Sequence, residues 1–139
     1  MISFREYIGI PFKYGGRTKE GIDCWGLVVI IYKEKLGVEL FDMSGYEPTV
    51  ESSSIFYKSI SEFSRMWEKI DVDTNKLQTY DIILFGLDDE HKNIPTHIAV
   101  YTTFNKIIHC TEYMPVGITK LNRWIHKAHS AYRYIGEIN

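Results

Sequence analysis

Two cysteines in 139 residues are too few for a disulfide framework, and a chain of this length buries roughly 68–70% of its extended surface without needing one. Charge of neither sign dominates. Sixteen basic and 18 acidic residues leave a net charge of −2 and a pI near 6.2, which gives no broad footprint for nucleic acid. Long apolar runs are missing: the longest, Leu27 to Tyr32, falls far short of the ~20 residues of a membrane span, so no membrane insertion is expected. The start, Met1-Ile2-Ser3-Phe4-Arg5-Glu6-Tyr7, has no basic region followed by an apolar core and does not read as a secretory signal, which implies synthesis in the cytoplasm. Repeats, low-complexity tracts and linkers are absent, and one domain spanning 1–139 is expected. What is abundant is apolar and aromatic bulk, 45% and 14% of residues, with ten tyrosines.

The pattern along the chain changes once. Residues 2–8 read as a short helix and 9–23 as a loop with Pro11 and four glycines; a helix over 24–36 ends at Gly37. Ser52 to Trp67 has helical spacing at Ile55, Phe56, Ile60, Phe63 and Trp67. After Asp73-Thr74-Asn75 the period becomes strand-like, with strands expected at Ile82–Phe85, Thr96–Thr102, Lys106–Thr111, Val116–Lys120 and Ala131–Ile135 as a meander. Helices first and antiparallel strands afterwards give an α+β domain, with N-terminal helices packed on a sheet of about five strands.

Chemistry concentrates at Gly21-Ile22-Asp23-Cys24-Trp25-Gly26-Leu27-Val28. Cys24 opens a helix whose Leu27, Val28 and Ile31 form one stripe, and Asp23 suits its N-cap. The unpaired N–H groups of a helix's first turn favour a thiolate. A nucleophilic cysteine needs a base, and the base needs an orienting partner. Strand alternation puts His97, Ala99 and Tyr101 on one face, and Ile107, His109 and Thr111 on one face of the next strand. If Thr103-Phe104-Asn105 makes a three-residue loop, residue 99 lies opposite 109, and His97 and His109 become diagonal neighbours with Cα atoms about 7–8 Å apart. An even-numbered loop would separate them. The expected arrangement has the His97-bearing face against the start of the Cys24 helix, His97 as base and His109 as its orienter. Cys110 points away from both and reads as core. His91 reads as an exposed loop residue, and His126-Lys127-Ala128-His129 as a loop or helix end without a third metal ligand; no metal or cofactor is expected. Lys13, Arg17 and Lys19 are either a solvated loop or a carboxylate-binding rim beside the thiol.

Four segments in order resemble the NlpC/P60 cysteine peptidase family: Tyr7-Ile8-Gly9-Ile10-Pro11-Phe12-Lys13-Tyr14-Gly15-Gly16 with the Cys24 segment, Leu77-Gln78-Thr79-Tyr80-Asp81-Ile82-Ile83-Leu84-Phe85, His97-Ile98-Ala99-Val100-Tyr101, and Lys106-Ile107-Ile108-His109. The resemblance implies a papain-like fold and a Cys24, His97, His109 triad. It also implies cleavage of peptide stems of bacterial cell wall, often between D-glutamate and the diamino acid. The family's aspartate before the cysteine, here Asp23, and the serine after it, here Trp25, help hold the substrate amine. A tyrosine hydroxyl near the thiol is replaced by Phe12, with Tyr14 two residues on, and a glycine is replaced by Tyr80. Asp23, Trp25, Tyr14 and Phe12 are therefore the expected substrate-binding set.

Asp-Cys-Trp-Gly-Leu-Val, the 52–67 segment and Tyr132-Arg133-Tyr134 resemble the phage-tail branch, which implies tail-protein partners and delivery to the wall by a virion. Two competing readings keep the fold. One is a structural tail subunit without activity, motivated by the apolar bulk of Phe12 and Trp25. The other is an amidase, deamidase or acyltransferase using the same three residues.

Overall fold

A computed structural model describes residues 2–42, 65–91 and 93–137 of the chain. Arg5–Tyr7 form a 3-10 turn, and a small hairpin follows from β1 (Arg17–Thr18) and β2 (Gly21–Ile22). Helix α1 spans Cys24–Ile31 and continues as a π-helical turn, Tyr32–Leu36, closed by Gly37 at φ 66°. The helical region thus has its expected bounds. Gly37 takes the left-handed conformation in which its N–H reaches back to the Lys33 carbonyl, satisfying an acceptor the helix end leaves over.

Six strands form the main sheet: β3 (Trp67–Ile70), β4 (Ile82–Phe85), β5 (His97–Tyr101), β6 (Lys106–Thr111), β7 (Met114–Lys120) and β8 (Ala128–Tyr134). Their order is β3-β8-β4-β5-β6-β7, with every pairing antiparallel. Two expectations are corrected. Only β4 to β7 meander, because β8 returns to lie between β3 and β4. Trp67 is not the end of a helix. It begins strand β3, opposite Tyr134, with its indole buried against Tyr32 and Tyr134. Cross-strand burial of a large ring overrides a local helical period there. The remainder of the 52–67 helix expectation, up to residue 64, lies outside the described residues.

β4 is buried on both faces, which explains its unbroken Ile82-Ile83-Leu84-Phe85 run. On one face Ile82, Leu84, Ile98, Val100, Ile108 and Cys110 meet the α1 stripe of Leu27, Val28 and Ile31. On the other, Ile83, Phe85, Ala99, Tyr101 and Ile107 pack with Leu121 and Trp124. The outer edge of β7 is covered by residues 9–10, since Gly9 N–H donates to the Val116 carbonyl and Val116 N–H to that of Ile10.

The start of β4 is fixed by Asp81, buried to 1% exposure. Its carboxylate accepts from Arg133 Nε at 2.9 Å, Arg133 Nη2 at 2.8 Å and the Gln78 N–H at 2.7 Å. Tyr80 before it stands at φ 79°, the left-handed conformation that accounts for glycine at this position in the family pattern. Removing one partner of a buried pair strands the other's charge. Arg133→Ala is expected to cost about 3 kcal/mol of stability in urea unfolding.

Candidate active site

Cys24 is the first residue of α1, and the turn that presents it is over-determined. Asp23 caps the helix: its Oδ1 accepts from the Gly26 N–H at 2.7 Å and its Oδ2 from the Gly15 N–H at 2.9 Å. Arg17 Nη1 donates to the same Oδ1 and to the Gly16 carbonyl, each at 2.7 Å. A Cβ at Gly26 would come within 2.3 Å of the Gly16 oxygen, so a glycine is required where the loop lies on the helix. Both oxygens of Asp23 are thus engaged inside the protein, and a substrate amine would have to share them with Arg17. Of the basic rim only Arg17 is committed inward, to Asp23; Lys19 pairs with Glu34 at the surface at 3.5 Å, and Lys13 is exposed.

The strand pair supplies two imidazoles. Val100 lies opposite Ile108 and Tyr101 opposite Ile107, the register that the three-residue loop 103–105 demands; Phe104 and Asn105 turn it at φ 52° and 63°. His97 and His109 therefore share a face, and His97 Nε2 lies 2.8 Å from His109 Nδ1. The other ring nitrogen of His109, Nε2, is 2.9 Å from Thr119 Oγ1. Both imidazoles are buried, His97 at 5% exposure and His109 at 0%, under Phe85 and Trp124.

That face is not the one the helix packs on, which corrects the expected arrangement. The body of α1 lies on the even-numbered residues Ile98, Val100, Ile108 and Cys110, so the histidines occupy the opposite side of β5. The thiol is tied to the strand's backbone near its start instead. The β5–β6 register stops short of Ile98, whose backbone N–H hydrogen-bonds the Cys24 sulfur. Cys24 is thereby held against the residue next to His97. Cys110 is core, with no exposure, and lies on the helix side.

Burial dominates the electrostatics. It pushes the Cys24 thiol up to about 11, aided by the Asp23 charge and opposed by the N–H groups of Ile98 and Trp25 and by Arg17. Burial also lowers His97 to about 3, with His109 adding to the effect, and lowers His109 to about 4. A helix terminus contributes about 0.3–1 kcal/mol, which desolvation exceeds here, so the neutral thiol and neutral imidazole are the resting forms.

Around this centre, Phe12 packs edge-on against Tyr14, and the Tyr14 hydroxyl donates to the Glu112 carboxylate. That bond and burial push Tyr14 up to about 12, and the nearby Cys24 sulfur adds to the shift. Tyr14 is half exposed and keeps its proton at neutral pH. The Trp25 indole N–H donates to the Phe41 carbonyl at 2.7 Å. His126 lies in a 3-10 turn and His91 in an exposed loop against Asp88. Among the described residues, no three His, Cys, Asp or Glu side chains converge as a metal site, and no helix is long and apolar enough to cross a membrane. Sequence reasoning missed Thr119, Trp124 and the Ile98 N–H. Of these only Thr119 carried a signal, since alternation across β7 puts it on the His109 face once His109 is paired with Gly117.

A helix-borne thiol against an antiparallel sheet with a coupled histidine pair defines a class of α+β domains. Within that class the chain belongs to the NlpC/P60 family, whose model matches residues 9–133. It is 26% identical over 137 residues to the murein DD-endopeptidase MepS/murein LD-carboxypeptidase of Escherichia coli K12, covering 97% of this chain and 61% of that protein. It is likewise 26% identical to the probable endopeptidase NlpC of the same organism, over 77% of this chain and 56% of the relative. The chain thus spans little more than half the length of these relatives. Among solved structures, an NlpC/P60 family protein from Bacillus cereus superposes with a TM-score of 0.64 at 27% identity, covering 94% of this chain and 37% of the other. NlpC1 from Trichomonas vaginalis does so with 0.70 at 17% identity, covering 94% and 41%.

Proposed function

We propose that this protein is a thiol hydrolase that cleaves peptide bonds in peptidoglycan stem peptides, with Cys24 as nucleophile, His97 as base and His109 as its orienter. The observation that carries the reading is the 2.8 Å contact between His97 Nε2 and His109 Nδ1 on the strand whose next N–H bonds the Cys24 sulfur. His109 occupies Nε2, so Nδ1 is the His97 nitrogen left to take the thiol proton. As that proton passes to Nδ1, Sγ bonds to the scissile carbonyl carbon and the oxygen takes up the negative charge. The Cys24 N–H, at the first position of the helix and so without an intrahelical acceptor, is one donor to it. Collapse expels the amine, which leaves with the proton from Nδ1. Water, deprotonated by the same nitrogen, then hydrolyses the thioester and restores the thiol.

The finer reading is action within a phage or phage-like tail tip, on the bond between D-glutamate and the diamino acid. Its support is the Asp23-Cys24-Trp25-Gly26-Leu27-Val28 motif, and delivery by a virion would bring the protein to the wall. Digestion of purified sacculi followed by mass spectrometry tests both levels. Release of stem-peptide fragments with a new amine and a new carboxyl is expected, and their masses identify the bond. Intact stem peptides after prolonged digestion would refute the hydrolase.

A further inference from the structure

We infer that Thr119 is a positioning residue of this site: its hydroxyl accepts the Nε2 proton of the His109 tautomer that lets His97 act as a base. The inference rests on the hydrolase reading above, and it follows from counting protons along one chain of contacts. His97 Nε2 meets His109 Nδ1 at 2.8 Å, and His109 Nε2 meets Thr119 Oγ1 at 2.9 Å. When His97 gains the thiol proton at Nδ1, both of its nitrogens carry hydrogen, and its Nε2–H must donate to His109 Nδ1. Neutral His109 then has its own proton on Nε2. That N–H lies in a residue with no solvent exposure, and the hydroxyl of Thr119 is the acceptor it meets.

The opposite orientation of the chain is unproductive. With the His109 proton on Nδ1, that nitrogen donates to His97 Nε2, the Thr119 hydroxyl turns to donate to His109 Nε2, the His97 proton sits on Nδ1, and the thiol faces a donor in place of a base. Without the hydroxyl the productive form alone is left with a buried N–H that has lost its acceptor. Among the described residues the surroundings offer no competing charge: Phe85 from β4, Trp124 from the turn before β8 and Thr119 from β7 are the uncharged groups against the two rings. β7 makes room for the contact. Gly117 lies opposite His109 and has no side chain, while Thr119, opposite Ile107, is reached diagonally.

Thr119→Val keeps the shape and β-branching of the side chain and removes the acceptor; Thr119→Ser keeps the hydroxyl. Nitrogen-15 NMR of the histidine rings reads the tautomer without requiring turnover, and muropeptide hydrolysis gives kcat and KM. His109 is expected as the Nε2–H tautomer in the wild type. In the valine variant the Nδ1–H form should rise and kcat fall about tenfold with KM unchanged, and serine should restore both. An Nδ1–H wild type, or a valine variant with wild-type tautomer and kcat, overturns the inference. A serine variant as impaired as valine overturns it too, since packing would then be the cause. A wild type that turns over no muropeptide would instead sink the hydrolase reading, and the NMR result alone would then decide for or against the Thr119–His109 tautomer link.

Discussion

Cys24→Ala is expected to reduce muropeptide cleavage by at least about 10⁴-fold, to the level left by substrate binding alone. The magnitude follows from what else the site holds. His97 and His109 are neutral imidazoles at rest, and among the described residues no second thiol lies on their face of the sheet. Cys110, the other thiol, is fully buried on the helix side, where desolvation keeps it protonated well above the usual thiol range. Cys110→Ala should therefore lose stability through the cavity it leaves and retain its turnover per folded molecule. Cys24→Ser should fail almost as completely as alanine. Burial already pushes the thiol up to about 11, and an alkoxide in the same surroundings is harder still to form. Product masses from wild type and the three variants, at matched folded concentration, check all of this. Cleavage by Cys24→Ala at the wild-type rate would remove the nucleophile from the mechanism. It would also return the structural-subunit reading to first place.

The parts of this site set by local rules were legible in the sequence, and the parts set by distant pairing were not. The His97–His109 contact needed only strand alternation and an odd-numbered loop, both readable between residues 96 and 111. Helix α1 was readable from its stripe, its Asp23 cap and Gly37. Which face of β5 that helix would cover depends on the twist and order of six strands, and no short window contains that. The same holds for β8, which closes beside β4 over 42 residues of intervening chain, and for β3, which exists because Trp67 meets Tyr134 across the sheet. Asp23 shows a third case. Its cap was predictable, but its ion pair with Arg17 depends on how the β1–β2 hairpin folds back, and that pairing takes up the carboxylate a substrate amine would need.

The histidine pair should also make the fold unstable to acid, in a window fixed by its burial. In the unfolded chain both histidines titrate near 6.5, whereas in the folded protein burial lowers them to about 3 and about 4. Above pH 6.5 neither state holds these protons and the pair adds no pH dependence. Between pH 6.5 and about 4 the unfolded state binds up to two protons that the folded state refuses, so stability falls as pH falls. With both sites engaged the slope approaches about 2.7 kcal/mol per pH unit, and it ends only below the folded values. His129, also lowered by burial, adds in the same direction, so the assignment needs a variant. His109→Gln should remove one proton's share of the slope in urea unfolding between pH 7 and 4.5; equal slopes in wild type and variant would show that His109 does not resist protonation. Catalysis should follow the opposite course. A base lowered to about 3 stays neutral while an ordinary histidine would be lost, so kcat per folded molecule is expected to hold from pH 7 to 5. Total activity then declines with the folded fraction, and a fall in kcat itself through pH 6.5 would place the working base in a more exposed imidazole.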